Sequence, residues 1–147
     1  MKKLDYMIGK WQGEGWMERD GQRHTFAGTE NVQSKLSGIV MLVEGLFKGK
    51  ATGSAEVVTV HETLGVLSYD EKAKCYRFRT YLATGTNGDH EAQLIEGGWQ
   101  WGLQIPHGSI RYTIKLNEKG EWFEIGEFSQ DGQTWRQFFE MTLRRNE

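Results

Sequence analysis

The feature that most constrains this chain is a succession of strand-like runs, at intervals of roughly ten residues, punctuated by turn signals along its whole length. Runs over 8–18, 23–34, 39–47, 55–69, 75–83, 89–96, 99–105, 109–116, 121–129 and 133–144 follow one another. Between them stand Arg19-Asp20-Gly21, Ser37-Gly38, the Gly-rich stretch Lys48 to Ser54, the turn 70–74 and Thr84-Gly85-Thr86-Asn87-Gly88. Gly97-Gly98, Pro106-His107-Gly108, Asn117-Glu118-Lys119-Gly120 and Asp131-Gly132 complete the set. Gly-Gly and Asp-Gly between alternating runs are strong hairpin signals, because glycine supplies the positive φ such turns need. A kink is expected near Gly65, and a short helix near Leu4 to Ile8 is the only one the pattern accommodates.

Alternation is clearest late in the chain. Trp99, Trp101, Leu103 and Ile105 share one face against Gln100, Gly102 and Gln104. Ile110, Tyr112, Ile114 and Leu116 alternate with Arg111, Thr113 and Lys115, and Trp135, Phe139, Met141 and Leu143 with Arg136, Glu140, Thr142 and Arg144. Phe138 is the apolar exception on that second face. One oily and one wet face is the mark of an antiparallel sheet. Ten such strands with no helices to cover the second face should curl and close. The chain is therefore expected to be all-β, one domain over residues 1–147, an up-and-down barrel of about ten strands with at most a short N-terminal helix. A two-layer sandwich is the architectural alternative.

Composition points to a thin shell. Only 37% of residues are hydrophobic, yet 12% are aromatic, and Gly reaches 19 against one Pro. Few, large apolar side chains on bent, glycine-rich strands suit a wall around a cavity better than a thick interior. The net charge of -2 and the absence of a basic stripe argue against nucleic acid. A lone Cys75 permits no internal disulfide and is consistent with a reducing compartment. Asp5, Lys10 and Gln12 interrupt any apolar run after Lys2-Lys3, so neither a signal peptide nor a membrane span is expected, and the chain reads as cytoplasmic.

The first run contains Gly9-Lys10-Trp11-Gln12-Gly13-Glu14-Gly15, and the last ends in Arg144-Arg145. Gly-x-Trp in the first strand with Arg closing the last resembles the calycin group: lipocalins, fatty-acid-binding proteins and their relatives. The resemblance implies that Trp11 plugs one end of the barrel and that Arg144 or Arg145 stacks over it. Gly9, Trp11 and Arg144 are taken as the barrel-closing set. The longer pattern Gly-x-Trp-x-Gly-x-Gly is similar to the nitrobindin branch of haem-binding barrels, and at least as similar to uncharacterised bacterial lipocalin-like domains. The haem branch needs a histidine in the last strand. Here that strand reads Gln137-Phe138-Phe139-Glu140-Met141-Thr142, so haem is disfavoured and no cofactor is expected.

The four histidines, His24, His61, His90 and His107, form no short metal-ligand spacing, so no metal site is expected. No Ser-His-Asp or Cys-His set and no phosphate-cradling loop are discernible, so no catalytic residue is assigned. Acids recur inside apolar runs at Glu30, Glu44, Glu62 and Glu124. If those runs face inward, the carboxylates must be paired or protonated. Arg77 and Arg79 are the available partners, although alternation turns them away from Tyr76 and Phe78. The candidate ligand-contacting set is Phe26, Glu30, Glu44, Glu62, Arg79, His90, Trp101, Tyr112, Phe139 and Met141, with the Gly-rich segments 48–54 and 84–88 as candidate lids.

The leading functional expectation is a binding module for a small apolar or amphipathic molecule with one polar end. An enzyme on the same scaffold, using an inward acid or His61 or His90 for proton transfer, is the alternative. A haem barrel is a third reading, and a homodimer contact through Phe138 on the outer face a fourth. A solid barrel would remove the first; acids that all face solvent would remove the second.

Overall fold

Turn chemistry and alternation together build a simple meander. The computed structural model describes residues 1–51 and 53–146, so Thr52, within the candidate lid 48–54, and Glu147 lie outside the described residues. The ten strands are β1 (Gly9–Arg19), β2 (Gln22–Lys35), β3 (Val40–Lys50), β4 (Val57–Asp70), β5 (Cys75–Leu82), β6 (Asn87–Ile95), β7 (Gly98–Ile105), β8 (Gly108–Leu116), β9 (Trp122–Ser129) and β10 (Arg136–Arg145). Each pairs antiparallel with its neighbours in sequence, and β10 returns to β1 with Trp11 opposite Arg145 and Met17 opposite Phe139. The sheet is thus a closed up-and-down barrel, and a sandwich is ruled out. Closure leaves no unpaired edge to template association with another chain.

Two bulges break the pleat, and neither sits where the kink was expected. Gly65 is in regular register with Val43 and Thr80. The irregularity in β4 instead leaves Val60 unpaired, between the Phe47–His61 and Lys48–Thr59 pairs. A second bulge places Phe138 and Phe139 together against Gly126. The extra residue brings Phe138 to the inner side, where it meets Tyr112 edge-on at 6.1 Å. Phe138 is therefore no outer-face dimer contact. Larger exposed apolar side chains occur on the outer wall at Leu46, Leu64 and Tyr81.

One end of the barrel is sealed. A 3-10 helix, Lys2–Met7, turns Leu4 and Met7 into the end of the lumen. Trp11 is fully buried there, meets Trp122 edge-on at 5.7 Å, and donates its Nε1 hydrogen to the Met7 carbonyl at 2.9 Å. The Arg145 guanidinium lies 4.2 Å over the Trp11 ring and donates to the carbonyls of Ile8 and Tyr6. The plug expected from the calycin-like motif is present, but Arg145 fills the cationic role rather than Arg144. Leu143 points into the core, and residues two apart share a face, so Arg145 lies over the floor while Arg144 turns outward to pair with Glu14 at 3.0 Å.

Candidate functional site

The inner wall combines glycines with large rings in a complementary pattern. Gly15, Gly28, Gly65 and Gly126 all sit at inward positions, and rings from adjacent strands lie back over them. A Cβ on Gly15 would fall 2.7 Å from the Phe26 ring, one on Gly28 2.6 Å from Phe47, one on Gly65 2.5 Å from Phe78 and one on Gly126 2.9 Å from Tyr112. The rings thus take up the space that the bare backbone of these four glycines leaves. Along the wall they touch in sequence. Phe47 meets Phe26 at 5.4 Å, Phe26 stacks on Phe139 at 5.6 Å, Phe139 meets Tyr112 at 5.8 Å, and Tyr112 stacks on Trp101 at 4.9 Å.

Accessibility along the axis describes a cup. Inward residues near the plug, such as Trp11, Val32, Leu67, Ile114 and Leu143, are buried. Towards the other end, inward residues such as Met17, Phe26, Trp101, Leu103, Ile110 and Tyr112 are only half-buried, and His61 at the rim is exposed. The described residues of the hairpin turns, 20–21, 51 and 53–56, 83–86, 106–107 and 130–135, surround that end, so the candidate lid 84–88 and the described part of the candidate lid 48–54 lie at the mouth. Two concavities, about 290 and 360 Å³, lie outside the lumen. The first is on the outer wall beside Trp16 and Glu140; the second is beside the N-terminal helix at Tyr6 and Leu94.

The acids divide between the two faces. Glu44 and Glu62 are exposed on the outer wall of β3 and β4 and make no part of the interior. The Gly45 and Phe47 positions carry the inward face of β3, so the interposed Glu44 must point out. Glu30 faces inward opposite Trp11, is 8% exposed, and lies against the bare backbone of Gly45, where a Cβ would fall 2.7 Å from Oε1. Its Oε2 is buried and unpartnered. Glu124 faces inward from β9 and accepts a hydrogen bond from Trp122 Nε1 at 3.0 Å. Burial pushes the Glu124 carboxyl up to about 7, against the pull of the Trp122 donor. Burial, and then the nearby Glu124 charge, raises Glu30 well above the usual carboxylate range.

No cation balances this pair. Arg77 and Arg79 hold Asp89 on the outer wall, at 3.0 and 3.4 Å. Arg79 is therefore not a lumen residue, because Phe78 and Thr80 take the inward positions on either side of it. Among the described residues no ion pair involves Glu30 or Glu124. His90 does face inward, tilted against Trp101 at 5.0 Å with Nε2 3.4 Å from the Thr80 hydroxyl. Desolvation lowers the pKa of His90, and also of His61, where the wall strips hydration from a ring that water still reaches. Burial, assisted by Glu124, lifts the Tyr112 phenol to about 12. Trp99 Nε1 is a second buried lumen atom without a partner.

Of the expected contact set, Phe26, Glu30, His90, Trp101, Tyr112, Phe139 and Met141 line the interior, while Glu44, Glu62 and Arg79 do not. Glu124, which belongs to the site, was separable from the outer acids only by parity with Trp122 and Gly126. Trp135, expected on the wall, lies outside beneath the Arg111 guanidinium at 3.9 Å. The haem branch of the resemblance is not matched by the donor set: the inward face of β10 offers Phe139, Met141 and Leu143, with no histidine. Among the described residues no cluster of three metal-ligating side chains forms, and no helix is long and apolar enough to cross a membrane.

No protein-family model matches the chain, and no curated protein matches it. Solved structures do. The S-type phycobiliprotein lyase CPES from Guillardia theta superposes with a TM-score of 0.64 at 12% identity, over 99% of this chain and 92% of that one. Rv2717c from M. tuberculosis superposes with a TM-score of 0.64 at 11% identity, over 99% and 96%. Likeness at this level of identity shows the fold alone, and that fold is the closed ten-stranded antiparallel barrel.

Proposed function

We propose that this barrel is a binding cup for a small, mostly apolar molecule with one polar end, admitted through the mouth opposite the Trp11 plug. The observation that carries the reading is the glycine-backed aromatic wall, whose rings take up the space left by inward glycines, with Phe26, Trp101 and Tyr112 half-buried towards the mouth. Rings already held by their neighbours offer a guest apolar contact at little entropic cost. The polar end finds Glu30, Glu124 and the unpartnered Trp99 Nε1 at the base. That a barrel of this shape is named a phycobiliprotein lyase supports a role for the interior, without transferring that protein's substrate.

Displacement of a fluorescent fatty acid, with native mass spectrometry for stoichiometry, tests the reading. One probe should bind per chain, and Thr63→Trp, which plants an indole at an inward position of β4, should abolish binding. Binding that survives this block places the probe outside the lumen and refutes the cup.

One observation favours a second reading, acid–base chemistry on a bound guest: Glu124 exchanges its proton near neutrality within a lumen that also holds Tyr112 and His90. Guests recovered chemically unchanged after prolonged incubation would remove it.

A further inference from the structure

We propose that the polar end of the guest is a cation, a protonated amine on an aromatic or aliphatic body, and that Glu30 and Glu124 are its counter-ions. The proposal deepens the binding-cup reading and rests on it.

Three independent features converge. First, the base of the cup holds two carboxylates that no arginine or lysine of the chain neutralises; the nearest arginines by sequence pattern, Arg77 and Arg79, are committed to Asp89 on the other side of the wall. Second, Glu30 is more than nine-tenths buried with an oxygen that accepts nothing, and it occupies space that Gly45 leaves by having no side chain. A buried acceptor with no donor is a cost that a structure carries unless something supplies the donor. Third, the wall above the acids is aromatic, and ring faces attract cations while repelling carboxylates. An anionic guest such as a fatty acid would meet two acids and no fixed positive charge, the reverse of what its headgroup needs.

The other titratable groups of the described lumen bring no fixed positive charge to the pair. Tyr112 from β8 stays a neutral phenol, and His61 from β4 and His90 from β6 are held towards their neutral forms. Trp122 from β9 contributes one N–H, and Trp11 from β1 separates the pair from Arg145, whose guanidinium is spent on the Trp11 ring and two backbone carbonyls. Without a guest, burial, and then the nearby Glu124 charge, favours a proton on Glu30. An ammonium that enters as a cation takes over the neutralising role, the carboxyl proton leaves to solvent, and the net charge of the interior is unchanged.

The test uses the intact protein and one naphthalene body with three headgroups: 2-naphthylmethylamine, 2-naphthylmethanol and 2-naphthoate. The benzyl series serves as a narrower set. Calorimetry and the fluorescence of Trp99 and Trp101 read binding. At about pH 8 the amine should bind at least roughly tenfold tighter than the alcohol, with the carboxylate weakest. Glu30→Gln and Glu124→Gln should each bring amine and alcohol to within about threefold. At about pH 6, amine binding should release protons, seen as an enthalpy that depends on the buffer's ionisation heat. An alcohol as tight as the amine, or a carboxylate that binds best, overturns the cation assignment and leaves the cup standing. Failure of every probe in both series overturns the cup and the assignment together. The wild-type ranking decides the matter even where a variant does not fold.

Discussion

Replacing Glu124 by Gln isolates a single buried ionisation and makes its cost measurable. The carboxyl titrates at about 7 in the folded chain against 4.5 ordinarily. At ~1.4 kcal/mol per pH unit, that difference amounts to about 3 kcal/mol. The folded state holds this proton more tightly than the unfolded chain does. Its contribution is therefore fully present below 4.5 and is lost as pH rises through about 7. Glutamine keeps the shape and never ionises. The stability difference between variant and wild type should be flat in acid, then swing in favour of the variant by up to about 3 kcal/mol by pH ~8. For a domain near this size that is about 6–12 °C in melting temperature. Urea or thermal unfolding at a series of pH values, both proteins side by side, reads it directly. Parallel curves across the whole range would mean that Glu124 ionises freely in the folded state, and the picture of a desolvated acid pair would be wrong. Glu30→Gln should show the same sign, since removing either charge relieves the other.

Other outcomes follow from the same geometry. Arg145→Ala should cost about 1–3 kcal/mol, because it strips a cation from Trp11 and two donors from the plug, whereas Arg144→Ala should cost under about 1 kcal/mol; equal effects in urea unfolding would refute the floor assignment. Gly28→Ala drives a methyl to 2.1 Å from the Leu46 carbonyl oxygen, a backbone atom that cannot swing away, so it should destabilise by more than about 3 kcal/mol; a variant that melts like wild type would deny the tight packing there. The Asp131 carboxyl is held below its usual range by the Thr134 and Gln133 backbone N–H groups and the Ser129 hydroxyl, so its contribution is present at neutral pH and lost as pH falls through its lowered value. Asp131→Ala should therefore weaken the protein at neutral pH and converge with wild type in acid; a gap that persists in acid would contradict this.

Much of the architecture was readable because hairpin chemistry is local. Gly-Gly at 97–98 and Asp-Gly at 131–132 mark turns wherever they occur, and the clean alternation of β7 and β8 fixes which residues face inward. The interior was read less well where the inward face is silent. In β3 the inward series Met41, Val43, Gly45, Phe47 competes with an outward series, Leu42, Glu44, Leu46, that is nearly as apolar, and only the pairing with β2 decides between them. Glycine carries no hydropathy, so the strands with most inward glycines are those whose parity is hardest to see. Phe138 illustrates the other failure: a bulge adds one residue and flips the count, and nothing local in Gln137-Phe138-Phe139 announces it. Arg144 and Arg145 are one step apart and so of opposite parity, and Leu143 settles them only once its own side is known.

The glycine-backed wall has a consequence for how such a chamber changes size. Its bore is governed by the few places where the chain has no side chain at all, because those bare patches are the parking spaces of the rings. At Gly65 the blocking atom is the Phe78 ring edge, so a single methyl there would evict the ring towards the axis and narrow the passage without altering any residue a guest touches. The width of this lumen is therefore set from behind the lining, and a comparison of sequences confined to the lining residues would overlook the positions that set it.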